Sequence, residues 1–222
     1  MKVAFSSVAC PEWTLQQIAT EGEAAGFNGV ELRTFGSNGA EFAGEPFLTD
    51  PAKTRSIMEN AGLEVVSLAT SLKFDDPIAP AIIGHIFGDQ EKSIRACKSA
   101  INLAAQLECP FVRVFAFEIQ GNESRKNALA RIIERLNKCL DACDRTGVKL
   151  LIENGGSFNR ASDLIEIMDI ADNGLLMASY SVAVAAQAGE DVAQGVTALG
   201  KRLGVLKVKD YQDGKPDRKS VV

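Results

Sequence analysis

Histidine is almost absent from this chain. His85 is the only one in 222 residues, so multi-histidine zinc chemistry is excluded, and a Ser-His-Asp or Cys-His hydrolase would have to be built on that one imidazole. It stands in Pro80-Ala-Ile-Ile-Gly-His-Ile-Phe-Gly88, which reads as a loop entering a helix, with no partner nearby in sequence. A CxxC pair is also missing. Cys10, Cys97, Cys109, Cys139 and Cys143 are odd in number and scattered, which points to reduced thiols in a cytoplasm-like compartment. There is no excess of positive charge: 24 Lys and Arg stand against 29 Asp and Glu, a net charge of −5. Nonspecific binding to nucleic acid or to an anionic membrane needs a basic footprint, so neither is expected as a partner. No apolar run approaches the ~20 residues that span a bilayer, Met1 to Cys10 lacks a signal-peptide core, and no GxGxxG or Walker-type phosphate loop occurs. These absences leave a cytoplasmic protein with a small-molecule partner as the expectation.

What is present is a regular alternation. With 46% hydrophobic residues the chain can bury a large core, and its length fits a single α/β domain over 1–222. Lys2–Ser6 reads as a first strand, and Thr14 with Gln17 makes a capping box that opens a helix ending near Gly26. A second strand follows at 29–33. Asp50-Pro51 then places an N-cap beside an N1 proline, and the helix they start stops at Ala61-Gly62. Further strands are expected at 63–68, 111–115, 148–153, 174–179 and 205–210, with helices at 93–107, 123–146, 161–171 and 191–203 between them. Residues 34–50 and 69–90 read as loops over a binding mouth. Ala25-Gly26, Ala61-Gly62 and Thr146-Gly147 each precede a short apolar run ending in charge, the mark of a repeated supersecondary unit.

The stretch that asks for a function is Val148-Lys-Leu-Leu-Ile-Glu-Asn-Gly-Gly156. A buried strand that ends on Glu153 must give that carboxylate a cation, a metal or a hydrogen-bonded ligand, because unpaired burial costs several kcal/mol. A purely structural salt bridge would satisfy it equally. Asn154 and Ser179 offer uncharged hydrogen bonds suited to sugar hydroxyls, or caps for neighbouring helices. Arg33 and Arg113, near strand ends, suit bidentate recognition of an acid or phosphate, or ion pairs with Glu31 or Glu118.

Five segments together resemble the xylose isomerase-like, or sugar phosphate isomerase/epimerase, TIM-barrel family: Ala25-Gly-Phe-Asn-Gly-Val-Glu-Leu-Arg33, Ala61-Gly-Leu-Glu-Val-Val-Ser67, Ile152-Glu-Asn154, Ala188-Gly-Glu-Asp191 and Val208-Lys-Asp-Tyr211. The resemblance spans nearly the whole chain. It implies an α/β fold of the (β/α)8 TIM type with its site at the C-terminal ends of the strands, and a divalent metal (Mn, Mg or Zn) held by carboxylates and histidine. It also implies proton or hydride transfer between adjacent carbons of a sugar, sugar phosphate or sugar acid. Glu153 falls on the family's metal-binding glutamate. The companion positions carry other residues: Ala178 for an aspartate, Ser181 near a histidine and Lys207 for another histidine, and the eighth β/α unit is expected to be lacking or truncated.

Lys207 therefore admits two readings. Its ammonium either replaces a metal's charge, pairing with Glu153 as catalytic partner and polarising a substrate carbonyl, or it locks Glu153 in a structural pair. Lys209, two residues on, is expected on the same side of an extended strand as a further substrate contact. The implied activity is a sugar isomerase or epimerase with a degenerate metal site; the alternatives are a catalytically silent carbohydrate-binding barrel and a metal-independent lyase or dehydratase. The open strand edges of an incomplete barrel predict a homodimer.

Overall fold

The computed structural model describes residues 2–35, 41–42, 50–75, 87–209, 211–212 and 215–216. His85, most of the loops expected at 34–50 and 69–90, and most of the polar tail after 209 lie outside them. The elements begin β1 (Ala4–Ser6), α1 (Leu15–Ala24), β2 (Gly29–Phe35), β3 (Glu41–Phe42), α2 (Pro51–Asn60), β4 (Glu64–Lys73), α3 (Phe87–Gln106) and β5 (Phe111–Phe115). They continue α4 (Arg125–Cys143), β6 (Lys149–Glu153), α5 (Ala161–Ala171), β7 (Leu176–Ser181), α6 (Val182–Gln187), α7 (Val192–Leu199), β8 (Leu203–Lys207), β9 (Tyr211–Gln212) and β10 (Lys215–Pro216). Strand order follows the chain as β1-β2-β4-β5-β6-β7-β8, with β3 antiparallel on β2 and β9 with β10 in a separate two-stranded ladder.

The chain forms two compact units, one of Met1–Leu72, Glu91–Arg113 and Ala142–Lys149, the other of Lys73–Gln90, Val114–Asp141 and Leu150–Val222. In the first, β1, β2 and β4 pair in parallel. Local chemistry sets its helix starts. Thr14 Oγ1 accepts from the Gln17 N–H at 3.2 Å while Gln17 Oε1 accepts from the Thr14 N–H at 2.8 Å, which satisfies two otherwise orphaned donors of α1. Asp50 Oδ1 caps α2 through Ala52 and Lys53, with Pro51 in the first turn. The core of this unit includes Leu15, Ile18, Val30, Leu32, Met58 and Leu68, each at most 2% exposed.

In the second unit β6, β7 and β8 pair in parallel, with Glu153 opposite Ser179 and Ser181 opposite Lys207. Leu150, Leu151 and Ile152 are fully buried, so this strand reads as a continuous apolar run because both faces are covered. Helix α4 buries the stripe Leu129, Ile132, Ile133, Leu136 and Leu140, each side chain worth about 1.5–3 kcal/mol on removal from water.

A hydrogen-bonded clamp ties β7 to α5 through Glu190. Tyr180 donates to Glu190 Oε2 at 2.6 Å, and the same carboxylate accepts from the Ala161 N–H at 3.0 Å, the first residue of α5. Burial, then the hydrogen bond and charge of Glu190, hold the Tyr180 phenol protonated well above its ordinary range. A raised folded-state pKa contributes stability that is complete below the unfolded value of about 10 and is lost as pH climbs beyond it. In a spectrophotometric titration of this two-tyrosine chain, one phenol should ionise only with alkaline unfolding. Y180F should remove that late component and leave the other unchanged.

Several expected boundaries move. The strand expected at 63–68 runs on to Lys73, and in the added stretch Thr70 Oγ1 donates to the Arg113 carbonyl at 2.5 Å. The strand expected at 205–210 spans Leu203–Lys207 instead. The strict alternation that placed Lys209 beside Lys207 therefore does not reach it; the Lys207 side chain is largely buried and Lys209 is exposed. No described helix is long and apolar enough to cross a membrane.

Candidate functional site

Glu153 and Lys207 end the two strands that flank β7, and their side chains meet. Lys207 Nζ lies 2.9 Å from Glu153 Oε2, with the two side chains 9% and 4% exposed. Ser179, in register with Glu153, donates its hydroxyl to the same carboxylate oxygen at 3.1 Å. Residues two apart on a strand share a face, so Ser179 and Ser181 project to one side of β7. The strands supply this geometry through elementary physics: apolar runs bury the sheet, and each charge is carried at the strand end.

Asn154 is 1% exposed and works inside the protein. Its Oδ1 accepts from the Ser181 N–H at 2.6 Å, and its Nδ2 donates to the carbonyls of Ser181 and Asn159, both at 3.1 Å. The side-chain amide thus stands in for a peptide group and holds the end of β7 to the end of β6. This is the helix-capping kind of role weighed beside sugar contact, with a strand end as the thing held.

The first unit contains a second buried carboxylate. Glu31, on β2 and 5% exposed, accepts from Ser6 Oγ at 2.6 Å and from Ser67 Oγ at 2.9 Å, with Arg113 Nη1 at 3.9 Å. Arg113 is itself buried, and its Nε and Nη2 donate to the Thr70 carbonyl at 3.3 and 2.9 Å. Its guanidinium thus braces β4 and β5. The Arg33 N–H donates to Ser7 Oγ at 2.8 Å, and its side chain is half-buried. Glu31 entered the sequence reading only as an ion-pair partner. The signal that marked Glu153, a carboxylate inside an apolar strand, was present in Val30-Glu31-Leu32 as well.

The xylose isomerase-like TIM-barrel model matches residues 20–221. The chain belongs to that family. The expected TIM-type α/β fold is therefore the observed one, with seven parallel strands among the described residues. Solved structures agree at the level of fold. The 3-keto-D-glucoside 4-epimerase YcjR from E. coli is 13% identical, with 95% of this chain and 79% of that one covered at a TM-score of 0.75. The probable 3-DHS dehydratase AsbF from Bacillus anthracis is 15% identical, with 96% and 75% covered at 0.75. The IolI protein, crystallised with a zinc atom, is 16% identical, with 96% and 77% covered at 0.73. No curated protein sequence matches.

Does this xylose isomerase-like chain fit a divalent metal? Hard cations take six or more oxygen ligands or an octahedral shell, and zinc takes about four ligands. Among the described residues no group of three or more His, Cys, Asp or Glu comes together. Glu153 already meets the Lys207 ammonium and accepts from the Ser179 hydroxyl, and both compete with a cation for the carboxylate. Among the described residues, the donors at Glu153 do not fit the family's metal.

Proposed function

We propose that this family member is a metal-independent sugar isomerase in which Glu153 moves a proton at the carbon beside a carbonyl and Lys207 stabilises the charge that develops on the carbonyl oxygen. The observation that carries the reading is the 2.9 Å Lys207–Glu153 pair at the C-terminal ends of β6 and β8, the end at which sites of this fold are built. Glu153, as the carboxylate, takes the proton. The C–H electron pair moves into the new C=C bond, the carbonyl π pair moves onto oxygen, and the oxyanion of the resulting enediolate accepts from the Lys207 ammonium. Return of the proton to the neighbouring carbon, with transfer of a proton between the two oxygens, completes an aldose–ketose shift with no oxidant or reductant. Epimerisation would require a second acid to deliver the proton to the opposite face. Ser179 keeps Glu153 oriented.

A second reading rests on the same pair. Two charges so enclosed neutralise one another, which suits a carbohydrate-binding barrel that has no chemistry. Solvent exchange separates the two. Protein stripped with EDTA and incubated in D2O with a panel of aldoses and ketoses should place one deuteron at the carbon adjacent to the carbonyl, seen by NMR, and E153Q should abolish it. Saturable sugar binding without exchange would instead establish the silent barrel. Exchange that starts only after Mn2+ or Mg2+ is added would overturn metal independence.

A further inference from the structure

Ser181 is the N-cap of α6, yet its side chain makes no capping hydrogen bond. Serine is favoured at that position because its oxygen accepts from the first N–H groups of the helix. Here the hydroxyl is fully buried and finds no hydrogen-bond partner among the described residues. A buried hydroxyl left without a partner has lost its bonds to water with nothing in exchange. The residue is nevertheless held firmly, since its N–H and its carbonyl both bond the Asn154 amide. It also sits on the sheet face of Ser179, directly opposite Lys207 in the β7–β8 register.

We infer that Ser181 Oγ is a ligand contact, positioned by Asn154, that bonds an uncharged oxygen of the sugar beside the Lys207–Glu153 pair. The inference rests on the proposed sugar site and narrows its substrate class. The Lys207 ammonium and the Glu153 carboxylate are paired with each other, so that pair has no net charge to offer an anion, whereas a hydroxyl both donates to and accepts from a neutral hydroxyl or carbonyl. The class is a neutral sugar at the reacting end, in preference to an aldonic acid or a sugar 1-phosphate.

Two measurements on S181A test this. Titrations of the wild type with neutral pentoses and hexoses, their aldonates and their 1-phosphates should give saturable binding for at least one neutral sugar and none tighter for its anionic counterparts. S181A should weaken that binding by about 3- to 10-fold, the size of one neutral hydrogen bond. Without ligand, S181A should melt at the same temperature as the wild type or higher, because it deletes a hydroxyl that the fold does not use. Tighter binding of the anions, unchanged affinity in S181A, or a melting temperature several degrees lower would overturn the inference. Deuterium exchange reads the isomerase proposal separately: exchange with unaltered S181A affinity sinks this inference alone, and Ser181-dependent binding without exchange sinks the isomerase alone.

Discussion

K207M should be the most damaging single substitution at the site, lowering unfolding free energy by about 3–5 kcal/mol, because it strips the cation from a carboxylate that is 4% exposed. At roughly 2–4 °C per kcal/mol for a chain of this length, the thermal midpoint should fall by about 6–20 °C. The pair itself is a different matter. Replacing both partners by apolar residues removes the desolvation cost together with the attraction, so E153L/K207M should recover most of the loss. Chemical denaturation of the single and double variants checks this. A K207M protein as stable as the wild type would mean that Glu153 has water or another cation within reach.

G156A should be the next largest. Gly156 has a φ of +58°, and a Cβ built there would lie 2.5 Å from the Phe117 carbonyl oxygen and 2.8 Å from Glu118 Oε1. The loop after β6 is pinned in that place: the Ser157 N–H donates to the Phe117 carbonyl at 2.8 Å, and Ser157 Oγ donates to Glu118 Oε2 at 2.8 Å. A left-handed conformation costs an alanine about 1–2 kcal/mol, and the carbonyl contact adds to it, so a loss of about 3 kcal/mol is expected. Gly121 supplies the control, since its φ is +54° and a Cβ there meets nothing within 4 Å. G121A should lose only the conformational part. Equal losses in the two variants, compared by denaturant melts, would show that the close approach at Phe117 does not matter.

The parts of the fold written in neighbouring residues were legible beforehand. Helix α5 spans Ala161–Ala171 as expected, and the Thr14 and Asp50 caps follow from residues two to three apart. What escaped depends on partners far along the chain. β4 runs past residue 68 to a stretch where Thr70 bonds Arg113, 43 positions away, and β8 stops at Lys207 although its apolar-charged alternation continues. The same divide runs through the site. Glu153 and Lys207 stood out because charge at the end of an apolar run demands a partner. Asn154 pairs with Ser181, 27 residues on, and nothing local marks an amide as a mimic of the backbone rather than a sugar contact. The unsatisfied hydroxyl of Ser181 is likewise visible only once β7 is in register with β8.

In the proposed isomerase the Lys207 ammonium takes the place of a divalent cation at Glu153. Calorimetric titration of the EDTA-stripped protein with Mn2+, in wild type and E153Q, tests it most directly. No saturable heat that depends on Glu153 is expected. Saturable binding by the wild type that disappears in E153Q would put a metal on that carboxylate and contradict it.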